Sequence, residues 1–270
     1  MRKFKGVFCL LLATTSLSAL SVEERVSIPF QIFVWPSNSS PAIVRQMAGD
    51  DSSGSLNELK TRYDEESGFY ELIEEDPIHQ IAYLPGATDS SQEIKLPEAT
   101  LSKIYRYTGP SNLTFFTESK DATGEIVRKP LANVQIPQGA RHMTFLFFGI
   151  ANRGYAIIPI ETSLESLPRD KVLIYNITDD RLGLSLGGPK LELESGASRL
   201  VKMNSPGGIY QPVLVASRDD EGRWRRRLVR KLTVDPGEPA LYLIYNRTER
   251  PESIDLVKLS GWDREVSAEE

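Results

Sequence analysis

The stretch NVQIPQGARHMTFLFFG, Asn133 to Gly149, is nearly rewritten ninety-eight residues later as KLTVDPGEPALYLIYNR, Lys231 to Arg247. In each version apolar residues first alternate with polar ones: Val134 and Ile136, then Leu232 and Val234. A Pro/Gly turn follows, at Gly139 or Gly237. After it the chain is nearly continuously apolar, over Met143 to Phe148 and Ala240 to Tyr245. Period-two alternation marks a strand with one buried face, and an unbroken short run marks a strand buried on both. Both runs are rich in β-branched and aromatic residues, which strands prefer. The pattern predicts an antiparallel hairpin in each copy, with the second strand central in its sheet.

The repetition extends beyond these stretches. Gly124 and Gly222 share the same spacing, in the loops SKDATGE and SRDDEGR. With one residue of slip, EIKLPEATLSK from Glu93 lies over ELESGASRLVK from Glu192, both read as strand, break, strand. A period near one hundred residues is too long for a solenoid unit and matches one β-sandwich of seven or eight short strands. DKVLIYNITDDRLGLSLGG opens the second copy as two strands around the Asn176 to Asp180 turn. Its expected counterpart is Ile28 to Gly49, which leaves an acidic insertion at 50–92. That insertion carries eleven carboxylates against Lys60 and Arg62. ETSLESLPRD, Glu161 to Asp170, reads as a linker stiffened by Pro168.

No amphipathic helical window exceeds two turns, so the expected class is all-β: two tandem antiparallel β-sandwiches. Their expected spans are 22–163 and 164–262, after a leader at 1–21 and before a polar, frayed tail at 263–270. The leader is read from Arg2, Lys3 and Lys5, the short apolar core Val7 to Ala13, and small residues ahead of Val22. Its apolar run is too short to span a bilayer. Cleavage there predicts a periplasmic or extracellular protein. Cys9, the single cysteine, leaves with the leader, so the mature chain has no thiol for disulfides, catalysis or zinc. Mature residues balance 29 cations against 37 carboxylates, a net charge of −8 that disfavours nucleic acid as a partner.

The phrases VLIYNITDDRLGLSLGG, LELESGASRLV and ANVQIPQGARHMTFLFF together resemble exported bacterial proteins made of tandem immunoglobulin-like sandwiches. The resemblance implies a fold and carries no activity with it.

The residues that bear chemistry are sparse. There are two histidines, His79 among carboxylates and His142 at the start of the first buried strand, where the ninety-eight-residue spacing sets it opposite Ala240. No G-x-S-x-G elbow accompanies them, so a serine triad is not expected. The acidic runs at Asp64 to Ser67 and Glu74 to Asp76 read as solvated clusters, not a glycosidase pair, and DDSSGSLNEL lacks the alternating oxygens of a calcium loop. No catalytic residue, metal site or cofactor is expected, and the reading is not an enzyme. Four N-x-S/T sequons, at Asn38, Asn112, Asn176 and Asn246, fall largely where strands enter turns.

One segment is more specific. RWRRRLVRK, Arg223 to Lys231, packs six cations into one strand. Strict alternation would place Trp224, Arg226, Leu228 and Arg230 on one face. An edge strand guarded by charge is one reading. The other is a patch for an anionic glycan, an acidic protein or the chain's own acidic insertion, formed by Arg223, Arg225, Arg226, Arg227 and Arg230. Contact with the insertion would set the angle between the domains. The expected function is an exported non-enzymatic binding or structural module with a protein or glycan partner. The alternative is a periplasmic assembly chaperone that works by β-strand addition.

Overall fold

The computed structural model describes residues 25–35, 61–64, 69–72, 80–86, 90–96, 100–150, 154–187, 190–202, 210–233, 238–247, 250, 253–260 and 262. Every regular element among them is a strand. The first half contains β1 (Arg25–Val34), β2 (Thr61–Asp64), β3 (Phe69–Leu72), β4 (Gln80–Tyr83) and β5 (Gln92–Lys95). It continues with β6 (Tyr105–Pro110), β7 (Asn112–Lys120), β8 (Ile126–Gln135), β9 (Met143–Ile150) and β10 (Gly154–Glu161). The second half contains β11 (Lys171–Asn176), β12 (Leu182–Ser185), β13 (Lys190–Leu193) and β14 (Ser198–Lys202). It ends with β15 (Tyr210–Arg218), β16 (Trp224–Thr233), β17 (Ala240–Asn246) and β18 (Ile254–Leu259). No helix among the described residues is long and apolar enough to cross a membrane.

The duplication seen in the sequence is a duplication of topology. The first half forms two four-stranded sheets, β10-β9-β1-β6 and β5-β4-β7-β8. The second repeats both orders, as β18-β17-β11-β14 and β13-β12-β15-β16. The β2–β3 pair has no counterpart among the described residues. The architecture is all-β and β-sandwich-like.

Two expectations about pairing are corrected. The sheets are not wholly antiparallel: β1 runs parallel to β9, from Phe30 beside Met143 to Val34 beside Phe147, and β11 runs parallel to β17. Nor do β8 and β9 form a hairpin. β8 pairs with β7, whereas β9 lies between β1 and β10 in the other sheet. The Pro137–Ala140 turn, closed by the Ala140 N–H on the Pro137 carbonyl at 3.2 Å, carries the chain across from one sheet to the other. Gly139 sits there with φ +76, a conformation that glycine tolerates best. Gly237 lies outside the described residues, but β16 and β17 are divided between sheets in the same way.

The physical reason lies in the two hydrophobic patterns. β8 alternates because it is an edge strand with one wet face. β9 is almost wholly apolar because both its faces are covered and both its sides are paired. These are different environments, met in different sheets. The parallel registers also make Met143, not His142, the counterpart of Ala240, because the second copy's turn is one residue shorter.

The acidic segment is likewise shorter than its expected span of 50–92. β4 lies inside that span, yet Ile81 and Tyr83 are fully buried, and β4 holds the sheet position that β12 holds in the second half. The true counterpart of β12 is therefore β4 and not a strand before Gly49. Ile94 in β5 and Leu193 in β13, matched in the Glu93/Glu192 alignment, are both core residues.

Three apolar layers result. Phe30, Tyr83, Phe115, Phe145 and Phe147 fill the space between the two sheets of the first half. Phe30 meets the rings of Phe145 and Tyr83 at 5.2 Å each. Leu182, Leu184, Val215, Tyr242 and Ile244 do the same in the second half. The third layer lies between the halves. Phe33, Leu146, Phe148 and Ile160 from the β9 sheet pack with Leu241, Leu243 and Leu259 from the β17 sheet. Trp35 of the first half meets Tyr245 of the second edge-on at 4.7 Å. Each such side chain contributes roughly 1.5–3 kcal/mol on full burial.

The segment expected as a linker belongs to this layer. Leu167 is fully buried in it, and the Lys171 N–H closes a turn on the Pro168 carbonyl at 3.1 Å. Among the described residues the halves meet mainly through hydrocarbon; most of the acidic side chains expected to set their angle against the arginine strand lie outside the described residues.

Candidate functional site

β16 is an edge strand, as its charge suggested, but it does not alternate regularly. Ala216 pairs with Arg226 and Val215 with Leu228, so Arg227 is an extra residue bulged out of the ladder. A bulge shifts the faces on either side of it. Before it, Trp224 and Arg226 share the outer face with Arg218 and Ala216. After it, Leu228 and Leu232 turn in toward the core, and Val229 and Lys231 turn out. The expected grouping of Trp224, Arg226, Leu228 and Arg230 on one face is thereby split.

The five arginines also differ in what holds them. Arg223 and Arg225 both bind Asp219, at 3.2 and 2.8 Å, and Arg223 also pairs with Glu221. Arg230 binds Asp255 at 2.8 Å, and Asp255 in turn takes Arg247 at 2.5 Å. Arg227 donates to the Ser217 hydroxyl at 2.8 Å. Arg226 is exposed and makes no ion pair among the described residues. The expected five-arginine patch thus has one uncommitted member.

Asp219 anchors the loop before β16 and repeats an arrangement from the first half. Its backbone N–H binds the Arg223 carbonyl at 2.9 Å and its carboxylate accepts the Arg223 N–H at 2.8 Å. Asp121 makes the same two bonds with Glu125, at 2.9 and 3.0 Å. Gly124 and Gly222 complete the two loops at φ +88 and +75. The Arg225 guanidinium, with the Arg223 N–H behind it, pushes the Asp219 carboxyl down to about 2.

A folded-state value below the ordinary one adds stability above pH ~4, and that stability is lost as the pH falls through about 2. An NMR titration of the Asp219 carboxyl should therefore show its midpoint near 2. A midpoint in the ordinary carboxylate range would mean that the arginines do not hold it.

Sequence reasoning missed the apolar character of this face. Tyr210, Leu214, Trp224 and Val229 all point outward, with Tyr210 64% and Val229 58% exposed. The Trp224 indole lies over Gly183 of β12, where a Cβ would come within 3.1 Å of the ring. The Arg218 guanidinium sits 5.0 Å from the Trp224 ring centroid. Alternation from Tyr210 along β15 was the available signal, but it could be read only once β15 was known to have one solvated face.

The internal copy makes the difference plain. In the first half Phe116 occupies the place of Leu214, Glu118 that of Ala216 and Arg128 that of Arg226. Glu118 faces Arg128 in the β7–β8 register as Ala216 faces Arg226 in β15–β16. There the middle of the outer face is covered: Arg128 binds Glu118 at 2.9 Å and lies 5.4 Å from the Phe116 ring centroid, and Phe116 is only 5% exposed, although Ile126, in the place of Trp224, is bare. Arg128, then the Ser91 hydroxyl, lowers the Glu118 pKa. In the second half the carboxylate is absent and the apolar side chains are bare.

The other marked residues have structural roles or lie outside the described residues. His142 Nδ1 is 2.8 Å from Thr162 Oγ1, Thr162 Oγ1 is 2.9 Å from Thr144 Oγ1, and Trp262 Nε1 donates to Thr144 Oγ1 at 3.0 Å. This buried polar chain ties the end of the second half to the first. Asn176 is fully buried, and its amide donates to the carbonyls of Asp180, Leu193 and Glu194, so this sequon is closed to modification in the folded chain. His79 and Asn38 lie outside the described residues. Comparison with protein-family models and with curated protein sequences returns no match for this chain.

Proposed function

We propose that the chain is an exported, non-enzymatic binding module of two immunoglobulin-like sandwich domains, 22–163 and 164–262. It engages a protein partner through the outer face of the β13-β12-β15-β16 sheet. The observation that carries this reading is the exposed stripe Tyr210, Leu214, Trp224 and Val229, on a sheet whose counterpart in the first half keeps Phe116, the equivalent of Leu214, covered. Contiguous bare apolar surface with a polar rim marks an interaction site. Aromatic and arginine side chains are the usual anchors of such sites. Strand addition, the mode of an assembly chaperone, is supported by the edge position of β16.

A photo-reactive amino acid placed at Leu214 should capture a partner in the producing cell, while the same probe at exposed Lys95 captures none. Equal capture at both positions, or none at Leu214, would reject the face. Export rests on the Arg2–Lys5 charges and the apolar core behind them. Mass spectrometry of the purified protein should find a mature N-terminus near Val22. Retention of Met1 would contradict it.

A further inference from the structure

We infer that β16 accepts an acidic peptide strand, laid along its free edge, with one of its carboxylates on Arg226. The inference rests on the binding-face reading above and names the partner's chemistry.

The argument starts from the duplication. At one position of the β7–β8 and β15–β16 ladders the two halves carry the same arginine, Arg128 and Arg226, in the same register. The first half supplies that arginine with a carboxylate from the neighbouring strand, Glu118 at 2.9 Å. The second half has Ala216 there, which has nothing to offer a guanidinium. On a β-sheet the residue opposite a side chain can belong to the strand on either side, because both flanking positions bring Cβ atoms to a similar distance. β15 holds one flank of β16. Among the described residues nothing pairs with the other flank, because β16 ends the sheet. A carboxylate from an added strand would restore to Arg226 the pairing that Arg128 already has.

Three further observations select a peptide strand as the occupant. The edge can be extended only by a backbone with its own N–H and C=O groups, which a polysaccharide lacks. The edge of β8 is blocked at the matching place by Pro130, which has no N–H to give, and β16 contains no proline. Arg230 and Lys258 close the far end, since the Arg230 guanidinium binds the Leu256 carbonyl and Lys258 Nζ binds the Thr233 carbonyl, both at 3.3 Å. The accessible length therefore runs from Trp224 to Val229, beside the exposed apolar residues. An incoming strand of alternating acidic and apolar side chains sets its carboxylates on one face, the outer one where Arg226 stands. Charge also selects the partner, because a cationic strand would face Arg226 on the outer side.

The experiment uses the whole mature chain and a fluorescent alternating Glu-Val peptide about as long as β16. The wild-type protein should bind this peptide and should not bind its Lys-Val counterpart. Arg226→Glu should weaken binding at least about tenfold, the usual scale for a lost charge-assisted contact. Ala216→Glu is the sharper variant. It gives Arg226 an internal carboxylate as in the first half, so it should weaken binding to a similar extent while leaving the melting temperature unchanged or higher. A peptide N-methylated at alternate residues keeps the side chains and loses the edge bonds, and it should not bind.

Full affinity in Ala216→Glu, or equal binding of the N-methylated peptide, overturns the inference. So does heparin binding that depends on Arg226 while the Glu-Val peptide fails, which would make the partner an anionic glycan. If Leu214 still captures a protein in the cell under any of these results, the binding-face reading survives and only the strand-addition partner is lost.

Discussion

Trp262→Ala is expected to cost about 3–5 kcal/mol, the range for removing a large buried ring. The residue is the last of the expected second sandwich, directly before the polar tail. In the structure it is 8% exposed and lies in the apolar layer between the halves, with its indole N–H on Thr144 Oγ1 at 3.0 Å. Alanine removes the ring from that layer and takes away one donor from the Thr144–Thr162–His142 chain. Trp262→Phe separates the two contributions: it keeps most of the ring and loses the N–H, and should cost about 1–3 kcal/mol. Denaturant melts of the three proteins measure both. A neutral Trp262→Ala would mean that the third layer does not hold the halves together.

Phe145→Ala and Leu243→Ala form the second expectation, about 3–5 and 2–5 kcal/mol respectively. Both side chains are fully buried, in equivalent central strands, yet they report on different layers. Phe145 faces the core of the first half, against Phe30 at 5.2 Å and Phe115 at 6.0 Å. Leu243 faces the layer between the halves, with Leu146 and Leu241. Because that layer couples the halves, calorimetry should show one transition in the wild-type protein and a shift of the whole transition in Leu243→Ala. Two separate transitions, only the later sequence half responding, would show that the halves unfold independently.

Much of the architecture was legible because strand patterning is local. The period-two alternation of Val134 and Ile136, and the nearly continuous apolar runs at Met143 and Ala240, placed the edge and central strands correctly. The matched glycines at 124 and 222 located two loops whose hydrogen bonds agree pair by pair. The partner of each strand was not legible. An alternating strand, a turn and an apolar strand read as a hairpin, because adjacency in sequence is the simplest source of pairing. The actual partners of β9 are β10, next in the chain, and β1, more than a hundred residues earlier, in a parallel register that no local signal encodes.

The candidate site divides along the same line. Six cations in nine residues pointed to β16, and its edge position followed from that charge. Which arginine remains available depended on groups distant in sequence or in register: Asp255 for Arg230, Ser217 for Arg227 and the bulge at Arg227 for the division of faces.

By itself the sequence determined that this protein is built of strands, that its plan is written twice, and where its charge is concentrated. Those properties depend on which residues alternate and recur, and alternation acts over a few residues. Only the tertiary structure decided that β8 and β9 belong to different sheets, that Trp262 is buried between the halves, and that Ala216 leaves Arg226 without the carboxylate its twin has. These are consequences of which surfaces meet, and they depend on the burial and pairing of residues far apart along the chain.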